Sequence, residues 1–516
     1  MCYTSGGAVF LIPYLCCLFL IAIPMYLVET AYGQLIVCKL QHRYAIISKR
    51  WWGLSIAQIL VCFFTLLYYI TLMAWSVAFF FGAFRSPMPW IKEGADQATV
   101  VENLWNSDYF YKDILQLSSG IDTMGGLVWY LVLCLFISYV ITYFAAWKGL
   151  KSTGKIVYVS CLLPYVMLTI LLIKGFTLEG AGTGLRYLFV PDWSKLYDAS
   201  IWQAAGVQIL FSSGVGYGPL MYYGTARAPD HKLITASFWI PCINSLTSFY
   251  ASLTIFTFLG HVSVTKGIPI EDLSKSGPDL VFVAFPALLG LLAGANFWSV
   301  IFFAMLVCLG VDSEFAFFDF YLKFIEDSFE DHLKRLNLRQ EVIVAILCAA
   351  CFLLSLQFVA EGGLWVFDLY DQMAGNIAIL FCVLLEVIMI PWIFGIDRLE
   401  VLMQERTGES IPKVAKFAMR WLVPAFIFAI FILAWVTEFS TAKAEARGWP
   451  GWITALGRLI WAAPIISVVI GWYYPMRDCK TIYQLIEEQY GIKFNPYGEE
   501  NEYERVGVAK KDGDNV

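Results

Sequence analysis

The chain has 516 residues, of which 59% are hydrophobic, 17% aromatic and only 15% charged. A soluble domain carries about 25% charged residues because its surface must face water, so this composition excludes a soluble globular protein and requires a bilayer. The net charge of −6, with no basic tract, excludes nucleic acid as a partner.

In chain order, mainly apolar runs of about 20 residues, enough to cross a membrane as helix, fall at 8–33, 54–83, 126–146, 156–174, 201–224 and 234–259. Further runs follow at 297–321, 341–360, 365–394, 417–437 and 453–474. They predict an all-α, polytopic transmembrane bundle of about eleven helices over 1–475. A cytoplasmic polar tail follows at 476–516, partly disordered, above all after Tyr490. The short apolar segment 279–295 is read as re-entrant or surface-lying, and EGAGTG around Gly180–Gly184 as a loop. Lys39, Arg43, Lys49 and Arg50, then Lys148, Lys151 and Lys155, and further basic residues in alternate loops mark those loops as cytoplasmic. The first span then runs inward from an external N-terminus.

The thirteen cysteines sit largely inside the apolar runs, which argues against a disulfide framework. Cys348 and Cys351 form a CxxC, but within an apolar helix they read as neighbours on one face, where Cys acts as a small hydrophobe. No Asn-x-Ser/Thr acceptor occurs.

Ionisable groups inside membrane segments are costly and mark functional sites by default. Asp312 and Glu314 lie mid-run in LVCLGVDSEFAFF, where a carboxylate needs a cation, a proton or a partner; a structural hydrogen bond to another helix is the plain alternative. Glu29 and Asp319, near the inner ends of their spans, could simply meet water, and Glu386 reads as a packing contact. FSSGVGYGP (Phe211–Pro219) puts three glycines, two serines and a proline inside an apolar run. Non-helical backbone at membrane depth survives only beside protein or a water-filled cavity, and such discontinuous helices build the mid-membrane sites of secondary transporters. Close helix approach through the glycines is the alternative. The stretch lacks the βαβ context of a dinucleotide site. Asn244 and Ser248, one helical turn apart, add the oxygen donors that hard cations take; hydroxyl and amide donors on Tyr14, Gln208 and the serines would suit an anion.

These stretches resemble the neurotransmitter:sodium symporter family. GGAVFLIPY (Gly6–Tyr14) and IPMYLVETAYGQ (Ile23–Gln34) are similar to its second helix and LLYYITLMAW (Leu66–Trp75) to its third. FAAWKGLKSTGKIVYVS (Phe144–Ser160) is similar to its fourth-to-fifth junction, and LGVDSEF (Leu309–Phe315) to its eighth. The similarity runs from about residue 5 to about 475 and implies a LeuT-type inverted repeat. It implies that Ser212 and Asn244 contribute to a first sodium site, and that Leu309 (through its carbonyl), Asp312 and Ser313 contribute to a second. It further implies a chloride environment of Tyr14, Gln208, Ser212, Asn244 and Ser248; bacterial members have a glutamate in place of Ser248. Tyr69 and Phe211 would line the solute, with Ser213, Tyr217, Ser313 and Glu314 nearby, and Asp371 would be the acidic half of an external gate. Phe317 fills a position often small, which implies a tighter pocket.

By the same resemblance, the sequence starts where the family's second helix does. The first helix, with its ligands for both sodium sites and the arginine partner of Asp371, is expected to be missing. No cysteine pair is visible in 85–125, where most animal members carry one. The expected function is sodium- and chloride-coupled symport of a small amino acid or related zwitterion (glycine, proline, GABA, taurine, betaine or creatine class), in the plasma membrane and without an organic cofactor. The alternative is a transport-inactive or regulatory membrane fragment. An enzyme is not expected, since no nucleophile–base pair or metal-ligand spacing stands out.

Overall fold

The computed structural model describes residues 7–91, 109–148, 150–228, 230–267, 269–270, 278–290, 292–438, 450–477, 479–494 and 503–505. Its body is helical because long apolar runs at membrane depth must satisfy every backbone N–H and C=O internally. The helices are α1 (Gly7–Leu35), α2 (Trp52–Gly82), α3 (Trp129–Ala146), α4 (Leu150–Phe176), α5 (Ala181–Phe189), α6 (Ala199–Ser213), α7 (Pro219–Thr225) and α8 (Ile234–Lys266). After them come α9 (Leu280–Gly290), α10 (Ala295–Ser328), α11 (Glu330–Leu336), α12 (Gln340–Val359), α13 (Gly363–Thr407), α14 (Lys413–Thr437), α15 (Gly451–Tyr473) and α16 (Ile482–Tyr490).

Among the described residues nine helices are individually long and apolar enough to span a membrane, or ten if the pair Ser160–Phe176 with Ala181–Tyr197, bent by 109°, is counted as one span. The difference from the eleven expected lies at 201–224. That run is split at Gly214, Gly216 and Gly218, all with positive φ, into helices of 15 and 7 residues. The break expected from FSSGVGYGP is therefore present, and neither half is long enough alone.

Three local expectations change. Gly180 ends the turn after α4 as the left-handed N-cap of α5, and Ala181–Gly184, expected in a loop, form the first turn of that helix. A Cβ on Gly184 would lie 1.7 Å from the Phe256 carbonyl oxygen, so this glycine exists to let α5 touch the backbone of α8. The segment 279–295 does not lie on a surface: Phe282, Phe285 and Leu289 of α9 are buried, and Phe285 stacks on Phe302 at 4.8 Å. Part of the segment after Tyr490 is ordered. Ile492–Phe494 pairs antiparallel with Tyr503–Arg505, while 495–502 and 506–516 lie outside the described residues.

Two large apolar cores hold the bundle. One joins α1, α6, α13 and α14; the other joins α2, α3, α9, α10 and α12. The first core also receives Ile482, Ile486, Ile492 and Phe494 from the C-terminal segment. That segment is tied down by backbone bonds from Ile482 to the Ile46 carbonyl (2.7 Å) and from Met476 to that of Lys49 (3.0 Å). The described cysteines are all free, and Cys348 and Cys351 are buried neighbours on α12.

Candidate functional site

The break between α6 and α7 is the centre of the site. A helix interrupted inside the membrane exposes orphan N–H and C=O groups, and each must find a partner. Glu29 supplies one: its Oε1 accepts from the Gly216 N–H at 2.8 Å, and the residue is 1% exposed. Glu29 therefore does not meet water at the inner end of its span; it holds the unwound backbone. Nearby, Gln58 donates to the Glu386 carboxylate at 2.7 Å, which accounts for that acid as a packing contact. Asp319 is also buried.

On one side of the break, the Asn244 amide donates to the Ser212 hydroxyl at 2.5 Å and to its carbonyl at 3.1 Å. These are the two residues expected at a first sodium site, brought together from α8 and α6. The Tyr14 hydroxyl meets Ser245 at 3.1 Å. Ser248 is exposed and turned back onto the Asn244 carbonyl at 3.2 Å. Gln208 lies one helical turn before Ser212 on α6, half-buried and on the same face. Of the expected anion donors, Tyr14 thus finds a serine one turn away from the one anticipated, and Ser245 is the residue that the sequence reading missed.

Leu309, Asp312 and Ser313 fall near the middle of α10, about 25 Å from its start at 1.5 Å per residue. Asp312 accepts from the hydroxyl of Ser160 and from the thiol of Cys161, at 3.1 Å for the latter, both on α4. Among the described residues no Lys or Arg is hydrogen-bonded or ion-paired to it. A carboxylate so placed is incomplete electrostatically and is a ready ligand for a small cation. Ser313 lies beside the Tyr69 hydroxyl. The sequence held a clue to Ser160: Pro164, four residues on, has no N–H for the Ser160 carbonyl, so the helix is locally open there.

A cavity of about 470 Å³ lies beside the break, within the usual range for small-molecule sites. Its wall includes Tyr68, Tyr69, Phe211, Leu309, Phe367 and Asp371, so the expected aromatic pair and gate acid do converge. Asp371 is the only charged side chain among the described lining residues. Other expected contacts stand elsewhere. The Ser213 hydroxyl bonds back to the Ile209 carbonyl at 2.6 Å. Tyr217 is fully buried beneath Phe211, at 6.0 Å between rings, and Phe317 fills the space between Tyr217 (5.6 Å) and Tyr69 (6.3 Å). Phe317 thus packs against the cavity's aromatic wall as a filler, in keeping with a tight pocket. Glu314 does not line the cavity. It is fully buried near Cys62, Tyr139, Cys348 and Cys351, and neither carboxyl oxygen has a hydrogen-bond partner among the described residues.

On the side where the loops are poor in Lys and Arg, α9 leans over the cavity. The Tyr111 hydroxyl hydrogen-bonds the Asp279 carboxylate at its base, and Phe282 packs on Trp75 at 5.7 Å.

The model of the sodium:neurotransmitter symporter family matches residues 1–478. The sodium- and chloride-dependent taurine transporter of Canis lupus familiaris is 31% identical over 495 residues, covering 91% of this chain and 78% of that protein. The sodium- and chloride-dependent GABA transporter 2 of Mus musculus is 31% identical over 498 residues, covering 93% and 83%. The creatine transporter of Torpedo marmorata is 31% identical over 495 residues, covering 91% and 79%.

Proposed function

This chain belongs to the sodium:neurotransmitter symporter family, and from that premise we propose that its solute is a short zwitterion of the taurine, GABA or creatine kind. It is a transporter and not an enzyme, an integral multi-pass membrane protein that carries a small solute with sodium and chloride. Residence in the plasma membrane is part of the proposal.

Asp312 carries the cation part of the reading. A carboxylate in mid-membrane, capped among the described residues by a hydroxyl and a thiol, gains most from a small hard cation, with the Leu309 carbonyl and Ser313 on the same turn. Asn244 and Ser212 offer oxygen donors for a second cation at the break. Tyr14 and Ser245, with Gln208 nearby, offer hydroxyl and amide donors to an anion. The cavity supports the solute class. One carboxylate, Asp371, stands among aromatic and aliphatic walls, which suits a short molecule with a cationic amine. In alternating access, ions bound at the break order the Gly214–Gly218 backbone and draw Tyr69 and Phe211 over the solute.

Uptake of labelled taurine, GABA and creatine in cells expressing the chain tests this. Uptake of at least one is expected to vanish when N-methylglucamine replaces sodium and to fall when gluconate replaces chloride. Uptake indifferent to sodium would overturn the reading.

A further inference from the structure

Arg43 lies in the loop between α1 and α2, among the basic residues whose pattern marks a cytoplasmic side, yet it is only 4% exposed. Burying a guanidinium is unfavourable unless it is paired, and the surroundings show what it is paired with. Its Nη1 donates to the carbonyl oxygen of Gly218 at 3.0 Å. That same oxygen accepts the first helical bond of α7, from the Tyr222 N–H at 3.2 Å, so both of its lone pairs are committed. The guanidinium also lies 5.7 Å from the Phe320 ring centroid, and the Tyr32 hydroxyl fixes Arg43's own carbonyl at 2.7 Å.

The break is thus gripped at two points of opposite polarity. Glu29 accepts from the Gly216 N–H and Arg43 donates to the Gly218 carbonyl, two residues further on. We propose that Arg43 is a positioning residue of the transport cycle: a latch that holds the start of α7 against α1 and α10 and must release Gly218 before this side of the protein opens. The proposal rests on the reading of the chain as an alternating-access carrier.

The packing around the latch fits that role. Leu40, Ile59, Cys62, Tyr222 and Phe320 form one closed apolar cluster under Arg43, contributed by the loop, α2, α7 and α10. Gly33 brings α1 against the backbone of Met221, and Gly218, at φ +97°, leaves room for the Phe320 ring. Parting α7 from these neighbours opens the cluster, and the charge-assisted Arg43–Gly218 bond resists it, alongside the weaker contact of the Tyr44 hydroxyl with the Met221 sulfur. Only one arm of the fork is engaged: Nη2 has no hydrogen-bond partner among the described residues. A single charge-assisted bond is easier to release than a bidentate one.

Cys62, fully buried in this cluster, reports its opening. The test uses the full chain reconstituted in vesicles, as wild type, Arg43→Met and Arg43→Lys. N-ethylmaleimide labelling of the Cys62 and Cys134 peptides is followed by mass spectrometry. Cys134 is also buried, on α3 in the second core, and it reports general loosening. Arg43→Met is expected to label at Cys62 roughly tenfold faster or more, the scale of one lost charge-assisted bond, with Cys134 unchanged. Arg43→Lys, which keeps a charge but loses the fork, is expected to fall between. Wild-type labelling of Cys62 in both variants overturns the proposal, as does equal acceleration at Cys134. If Arg43→Met does not accumulate, Arg43→Lys decides alone by the same two criteria. Labelled taurine, GABA and creatine uptake is measured alongside. A Cys62 response without uptake of any of them keeps the latch and rejects the solute reading.

Discussion

Two side chains of α10 define the residue scale: Glu314, expected near the solute, and Phe317, expected to tighten the pocket, stand in different surroundings. Phe317 wedges between Tyr69 and Tyr217. Phe317→Ala is expected to cost about 3 kcal/mol of stability and to widen the pocket. Competition by ω-amino acids of increasing chain length should then shift toward the longer members; unchanged length preference would show that Phe317 does not bound the site. Glu314 is a buried carboxyl with both oxygens unpartnered among the described residues. Replacing it by Met, of similar shape, removes two orphaned polar atoms, so Glu314→Met is expected to raise the thermal midpoint, by about 1–3 kcal/mol in stability. A lower midpoint would mean that the carboxyl has a structural partner after all. The sequence could show that a charge lay at membrane depth but not which face of the helix it occupied, since Asp312 and Glu314 stand on nearly opposite faces, about 200° apart.

At the scale of elements, the break in α6–α7 was legible because three glycines and a proline cannot hold helix in an apolar run. What satisfies the break was not legible. Glu29 and Arg43 come from about 175 to 187 residues away in sequence, and no local pattern distinguishes a buried loop arginine from a solvated one. Glycine contacts were hidden for the same reason. A Cβ at Gly33 would stand 2.1 Å from the Met221 carbonyl oxygen, whereas one at Gly408, at φ +70°, would meet nothing within 4 Å. Gly33→Ala is therefore expected to prevent α1 from seating on α7 and to abolish correctly folded protein at the cell surface. Gly408→Ala should cost only about 1 kcal/mol of backbone strain; surface-biotinylation yields separate the two. At the start of α11, Glu330 bridges Lys334 (2.6 Å) and Lys39 (2.7 Å), and these two ammonium groups draw its carboxyl down from 4.5 to about 2. A lowered folded value means that the interaction stabilises above the unfolded pKa and is lost as pH falls through the folded one. The difference in thermal midpoint between wild type and Glu330→Gln should thus hold from neutral pH down to about 4.5 and fade toward 2. The pair is exposed, so the difference should be small and shrink in high salt; a difference that grows on acidification would contradict it.

At the scale of the whole molecule, composition and span length were enough for a helical membrane body, because a bilayer leaves few other ways to satisfy the backbone. The number of spans was less legible: a run such as 201–224 counts as one by hydropathy and is two helices in space. The residues of the site were legible mainly through their resemblance to a family, and the structure then sorted them by distance. Ser212 with Asn244, and Tyr69 with Phe211 and Asp371, come together. Ser213 and Ser248 turn back onto their own helices, and Ser160, Cys161 and Ser245 enter as partners that hydropathy cannot single out. Coupling to sodium through Asp312 is what drives the proposed transport. The direct measurement is concentrative uptake of labelled taurine, GABA or creatine into vesicles containing the purified chain, driven only by an inward sodium gradient with chloride present. Accumulation above the external concentration, abolished when the gradient is collapsed and in Asp312→Asn at equal protein content, is the predicted result. Accumulation that persists without the gradient, or that Asp312→Asn leaves intact, would contradict the account.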